Sequence, residues 1–368
     1  MPMNDSAILD GAFLRTATIG QIARRAQVST ASVSRALNGE TGVSEQTAQR
    51  IRKIASDLGY YPSSSARTLV TGRSRTFGLL VSDIVNPFFS ELLREFEEEA
   101  VRQQYEVIVA NVNNDPRRVQ QSTRRLLERR VDGVAFMTAE QSPLSSELRR
   151  RRIPLVFLEG EEPSRHASNI SMDALSGIEQ AVHHLKDLGH TRIGFLGALM
   201  TLAPSQSRMH AFAEAMKSCA IRFSAPLIST NNQPTMEGGF YGMTNLLALP
   251  NPPTAILTFN DAMAFGAMRA ARRLSVSVPR DISIIGFDDV RMAAFSEPEL
   301  TTIRLSRSEL ASFAFNTLLR MSCESAHGES ILIRTSLVVR ASTGRCKSNS
   351  STVPRAVRKR ESAPGHIA

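Results

Sequence analysis

From Ile22 to Asn38 the chain reads Ile-Ala-Arg-Arg-Ala-Gln-Val-Ser-Thr-Ala-Ser-Val-Ser-Arg-Ala-Leu-Asn. The residues that could do chemistry are the short polar ones after Val28 and the arginine that follows them. Thr30, Ala31 and Arg35 fall on the exposed first turns of a second short helix. Small side chains there let the helix approach a base edge, and a guanidinium can bond guanine through two nitrogens in the major groove. The pattern is a helix-turn-helix. The other reading of the same residues is a three-helix bundle with a solvated polar face.

Charge follows the same division. Residues 1–76 hold 10 Lys+Arg against 5 Asp+Glu, residues 77–340 hold 28 against 29, and residues 341–368 hold 6 against 1, within a net +9. A basic head points to a polyanion, most simply nucleic acid, while the neutral middle gives no electrostatic reason to bind one. The chemistry of enzymes is hard to find. There is no zinc-ligand spacing, no Walker loop and no nucleophile elbow, and the His183-His184 pair has no acidic or thiol partner in sequence. No catalytic residue, metal or cofactor is therefore expected. Cys219, Cys323 and Cys346 form no CxxC pair and are too few for a disulfide framework. Asp5 and Asp10 interrupt the first apolar stretch, and no later run approaches the ~18 apolar residues of a membrane span. A cytoplasmic protein without a membrane partner is expected.

The elements that must position these residues can be read from periodicity. Thr18 and Gln21 make a capping box for a first helix with Ile22, Ala23 and Ala26 on one face. Ser29 caps the second, whose buried stripe is Val33, Ala36 and Leu37, and Asn38-Gly39 stops it. Ser44 caps a third with Ile51, Ile54, Ala55 and Leu58 in register, ended by Gly59. Ser63 to Val70 is too short to be helical alone and needs a partner. Beyond a Thr71–Ser74 linker come short apolar runs alternating with helical stretches: Phe77–Val81, Glu106–Ala110, Gly133–Met137, Leu155–Leu158, Ile193–Gly197, Ala255–Thr258 and Ser283–Phe287. Such runs suit parallel strands covered on both faces. Asp115-Pro116 starts a helix, Gly189 closes the one carrying His183 and His184, and Arg149–Arg152 ends another. The length from 77 to 340 exceeds one doubly wound unit, so two lobes flanking a cleft are expected.

Several separated motifs carry a resemblance: Val28-Ser29 with Val33-Ser34-Arg35-Ala36-Leu37-Asn38, Val43-Ser44-Glu45, Leu58-Gly59-Tyr60-Tyr61-Pro62, Asn86-Pro87-Phe88-Phe89, Asn260-Asp261-Ala262-Met263-Ala264 and Gly286-Phe287-Asp288-Asp289. From Thr18 to Leu80 the chain resembles the DNA-binding head and hinge of the lactose-repressor/galactose-repressor (LacI/GalR) family of bacterial regulators, and the similarity continues to about Arg340. The resemblance implies an α/β protein: an N-terminal helix-turn-helix three-helix DNA-binding head plus hinge helix, followed by a two-lobed periplasmic-binding-protein-like doubly wound α/β effector domain. The segments are then 1–16, a disordered arm; 17–62, the helix-turn-helix domain; 63–75, hinge helix and linker; 76–340, the effector-binding and dimerisation domain; and 341–368, a basic disordered tail.

By the same resemblance, Thr18, Ser29, Thr30, Ala31, Ser34, Arg35 and Asn38 contact a double-stranded DNA operator, with Ser63, Ala66 and Leu69 from the hinge. Leu69 would wedge into the central base step of the minor groove. Asn86, Phe88, Phe89, Arg208, Asn260 and Asp288 would line the interlobe cleft around a sugar-like small-molecule effector, where acceptors, donors and aromatic faces suit a polyhydroxylated ring. Each also has a plainer reading: Asn260 as a helix cap, Phe88 and Phe89 as core, Arg208 as a surface ion pair. A homodimer is expected, because the tail lacks the leucine heptads of a tetramerising helix. The function implied is a repressor of transcription acting at a pseudopalindromic operator, nucleoid-associated when on DNA. An exported binding protein is the competing reading, which the helix-turn-helix disfavours.

Three departures from the family pattern stand out. Glu159-Gly160 replaces Asp-Arg after the fourth strand, and Leu305 replaces a Gln after a Thr-Thr-Ile strand. Both make the cleft less polar than a ribose-type site. Gln27 replaces a turn glycine, which implies either an ordinary φ or mild strain.

Overall fold

The computed structural model describes residues 17–39, 41–60, 72–138, 144–160, 162–324 and 326–347. They fall into two compact units, one ending at Ser74 and the other beginning at Arg75.

The first unit holds α1 (Ile19–Ala26), α2 (Thr30–Asn38) and α3 (Glu45–Asp57). Thr18 Oγ1 accepts from the Gln21 N–H at 3.3 Å while Gln21 Oε1 accepts from the Thr18 N–H at 2.8 Å, closing the capping box in both directions. Ser29 and Ser44 accept from Ser32 and Thr47 N–H groups at the starts of α2 and α3. Ile22, Ala23, Ala26, Val33, Ala36, Ala48, Ile51 and Ala55 close a core whose many alanines let three short helices approach.

Gln27 takes the left-handed conformation, φ 53° and ψ 45°. The turn therefore keeps the geometry that glycine favours, and of the two readings above strain is the correct one. Gln27→Gly is expected to stabilise the head by about 0.5–1 kcal/mol. Thermal unfolding followed by far-ultraviolet circular dichroism checks this, and a lowered midpoint would mean that the glutamine side chain contributes more than the turn loses.

The second unit is built on β1 (Thr76–Val81), β2 (Glu106–Asn111), β3 (Gly133–Met137), β4 (Leu155–Leu158), β5 (Ala167–Asp173), β6 (Ile193–Ala198), β7 (Ile228–Asn232), β8 (Ala255–Thr258), β9 (Ser283–Asp288), β10 (Thr301–Leu305) and β11 (Ser330–Val338). Their order is β2-β1-β3-β4-β5-β11-β10-β9-β8-β6-β7. Every residue of β1, β3, β6, β8 and β9 is buried, as in parallel strands sandwiched by helices. Helices α4 (Pro87–Arg102), α5 (Pro116–Glu128), α6 (Ser145–Arg150) and α11 (Arg307–Glu324) accompany β1–β5, giving lobe I. Helices α7 (Ala174–Asp187), α8 (Ala203–Ser218), α9 (Met236–Leu247) and α10 (Asp261–Arg273) accompany β6–β10, giving lobe II. Asp115 caps α5 with Pro116 in its first turn, and Gly189 ends α7 at φ 87°.

The chain crosses between lobes after Asp173, after Leu305 and within β11. That strand runs parallel to β5 from Ser330 to Arg334, then antiparallel to β10 from Thr335 to Val338. The seven expected strands are present, and β5, β7, β10 and β11 join them.

One boundary needs correcting. Residues 341–347, placed above in a disordered tail, pack on lobe II. Ser342 is fully buried and donates to Ile284 O at 2.6 Å, Thr343 meets His184, and the Gly344 carbonyl lies 3.0 Å from His190 Nε2. The Cys346 N–H donates to Leu188 O. Short polar side chains bonding backbone hold this segment, a device that leaves no apolar period to read. Residues 348–368 lie outside the described residues.

Candidate functional site

On α2, Thr30, Ala31, Ser34 and Arg35 fall within an arc of roughly 140°, at 100° per residue. Val33 and Ala36, on the opposite side, are buried in the head's core. Thr18, Ser29, Thr30, Ala31 and Arg35 are exposed and Ser34 is partly so, while Asn38 is the last residue of α2. Ser29 Oγ is occupied as the helix cap. Arg24, Arg25, Arg50, Arg52 and Lys53 are exposed on the same unit, and cations at these positions can meet phosphates. Ser63, Ala66 and Leu69 lie outside the described residues.

In the second unit, the ends of β1, β3 and β4 and the ends of β8 and β9 border one cavity, the crevice at strand C-termini where α/β sheets bind ligands. It encloses about 750 Å³ of space partly open to solvent. All six expected cleft residues line it: Asn86, Phe88 and Phe89 from lobe I, and Arg208, Asn260 and Asp288 from lobe II.

Their roles differ from one another. Asn86 and Asn260 are helix caps as well as lining groups: Asn86 Oδ1 accepts from Phe88 N, Asn260 Oδ1 from Met263 N, and Asn260 Nδ2 donates to Pro234 O. Phe88 is buried in the lobe I core, and its ring stands nearly perpendicular to that of the half-buried Phe89. Arg208 is no surface ion pair. Its side chain is only 8% exposed, its Nη1 donates to the Phe259 carbonyl, and its Nη2 stands 3.9 Å from Asp288 Oδ1. The guanidinium lies between two rings, 3.8 Å from the Phe287 centroid and 4.4 Å from that of Phe259. Its Nε has no hydrogen-bond partner, the property of a donor placed for a guest.

Asp288 sits at the end of β9 with φ 123°. Burial pushes its carboxyl up to about 7, against the pull of Arg208 and Arg307. Burial also raises Asp261 well above the carboxylate range, although Thr302 Oγ1 and the Val290 N–H donate to it. Glu159, at the end of β4 with φ 52°, is raised by burial and accepts from the Met172 N–H. Arg307 fixes the back of the site: it donates to the carbonyls of Asp288 and Asp289 at 2.7 and 2.8 Å and pairs with Glu91 at 3.0 Å. Glu91, on α4, also accepts from the Arg291 N–H, so one lobe I carboxylate ties down the lobe II loop that follows Asp288.

Residues 18–63 match the bacterial regulatory proteins of the lacI family, and residues 182–343 match the periplasmic binding protein-like domain. The ribose operon repressor of Escherichia coli (strain K12) is 33% identical over 305 residues, 82% of this chain and 92% of the relative. This chain belongs to the lacI family of bacterial regulatory proteins. The HTH-type transcriptional repressor CytR of the same strain is 32% identical to this lacI-family chain over 330 residues, 89% of it and 96% of CytR. The lac repressor dimer bound to operator and the anti-inducer ONPF superposes with a TM-score of 0.78 at 26% identity, covering 90% of this chain and all of that one. Membership makes the protein a DNA-binding transcriptional regulator and not an enzyme. No described helix is long and apolar enough to cross a membrane.

The lacI-family motifs did not name every lining residue. Ser82 and Asp83 follow β1 and Thr138 follows β3, whereas Glu159, after β4, and Leu305, at the end of β10, are the two departures from the family pattern that the sequence already placed at the cleft. Their signal was available, since each is at the carboxyl end of a strand. Met172 lies near the end of β5 and Pro204 in the first turn of α8, while Leu202 and Pro234 come from loops, and no pattern marks any of them.

Proposed function

We propose that this lacI-family regulator is a ligand-responsive repressor that holds a pseudopalindromic operator as a homodimer, with a sugar or related metabolite in the interlobe cleft setting its DNA affinity. The observation that carries the reading is the pairing of an exposed Thr30–Arg35 face with a cavity that keeps a buried, unpartnered Arg208 Nε. We assign 17–62 to DNA reading, 63–75 to the hinge and the body that follows to effector binding and dimerisation, with the nucleoid as the place of action. Largely exposed Tyr241, Met292 and Phe295 on lobe II supply apolar surface for a second copy. Gly160 and Leu305, in place of polar groups, favour a ligand other than a simple pentose or hexose.

Effector and operator communicate by linkage, so a ligand that changes DNA affinity by some factor must have its own affinity changed by the same factor. Capturing genomic fragments at several salt concentrations, with and without metabolite extract, tests the reading. Recovery of one pseudopalindrome whose yield responds to the extract supports it and gives the sign of the response. Only sequence-blind, salt-sensitive binding under both conditions would refute it. Leu69→Ala is expected to weaken operator binding about tenfold or more while leaving random duplex nearly unchanged, as for a wedge that unstacks one step. Equal losses on both DNAs would reject the wedge.

A further inference from the structure

We propose that the effector carries a protonated nitrogen: the cleft is built for an amino-substituted polyol and against sugar acids and sugar phosphates. The inference rests on the cavity being the effector site and goes further, to the charge of what it holds. Asp83, Glu159 and Asp288 border the cavity, and Arg208 is the one cation among the described lining residues. That guanidinium is already engaged by the Phe259 carbonyl, by Asp288 and by two ring faces. Its free Nε can serve one hydroxyl oxygen, but nothing is left to neutralise an anion. Arg307 is likewise engaged, by Glu91 and two backbone carbonyls. Gly160 follows Glu159, so no second guanidinium is supplied from β4.

Burial raises both Asp288 and Glu159, so each lies in surroundings short of positive charge. Asp288 is faced by Arg208 from α8, Arg307 from α11, Glu91 from α4 and Asp261 from α10, while Glu159 from the end of β4 acts on the same Arg208, and Asp288 is still held above the usual carboxylate range. An anionic guest would add to that imbalance, whereas an ammonium removes it. Phe88 and Phe89 also line the cavity, and aromatic rings attract cations.

D-Glucosamine, D-glucose and D-glucuronate share one ring and differ in charge, so they separate the alternatives. Thermal shift and titration calorimetry on the full chain are expected to rank them in that order, with the amine about tenfold or more tighter than glucose and the acid silent. The amine should bind more tightly at about pH 7 than at about pH 5.5, because Asp288, held up to about 7, is far less protonated at the higher pH. Glu159→Gln should shrink the preference for amine over neutral sugar. Preference for glucose or glucuronate, no response to any of the three, or full amine preference in Glu159→Gln each overturns the proposal. Operator capture run on the same preparation keeps the regulator reading separate: it stands if DNA is still recovered while the amine fails.

Discussion

Arg35→Ala is expected to lower operator affinity by about 2–6 kcal/mol per dimer, roughly 30-fold to 10⁴-fold, at about 1–3 kcal/mol for the bidentate guanine pairing removed from each of two half-sites. The head should still fold, because Arg35 is exposed on the side of α2 opposite Val33 and Ala36. Lys53→Ala is the comparison. It too removes an exposed cation, but from α3, so it should weaken operator and random duplex alike and reduce the salt slope by about one. Binding isotherms of both variants on operator and on scrambled duplex, at matched salt, check the pair. If Arg35→Ala weakened scrambled DNA by the same factor, the arginine would be a phosphate contact and the assignment of Thr30, Ala31 and Arg35 to base reading would fall.

The second large effect concerns Arg208. Arg208→Met keeps length and apolar contact with Phe259 and Phe287 but removes the charge opposite Asp288 and the donor to the Phe259 carbonyl. A loss of about 3–5 kcal/mol is expected for breaking a buried pair, together with loss of the effector response. The pH dependence gives the sign. Asp288 has a folded value of about 7 against an ordinary 3.8. Because that folded value is raised, its contribution is fully present below about pH 4 and is lost as pH rises toward 7. Without Arg208 the folded value climbs further, so the losing window extends to higher pH. The variant should therefore lag the parent more at about pH 8 than at about pH 5. Melting curves at both values decide it, and an equal or larger deficit on the acid side would mean that Arg208 acts through packing.

How far the sequence was legible can be followed residue by residue. The head was readable because its signals are local: Thr18 with Gln21, Ser29 and Ser44 as caps, Gly39 and Gly59 as stops. Most of the strands visible in the sequence are apolar throughout, whereas the others are more polar. In β5, Ala167–Asp173, and β7, Ile228–Asn232, polar residues dominate. In β10, Thr302 is buried because its hydroxyl donates to Asp261, a partner far away in sequence. Long-range pairing of this kind leaves no trace in a periodicity. The cleft was legible to the extent that strand ends announce themselves. That Arg208 would be stacked between two rings, or that Asn260 would engage both side-chain ends in structure, depends on neighbours brought in by folding.

The path of β11 has a consequence for biogenesis. Until Ser330–Val338 has left the ribosome, β5 has no neighbour on one side and neither has β10, so a nascent chain carries two open edges at once. Unpaired edges invite pairing with other chains. Neither half can be completed early, and both close together when one late segment arrives. A stop codon shortly before Ser330 should therefore yield aggregate rather than a half-folded survivor.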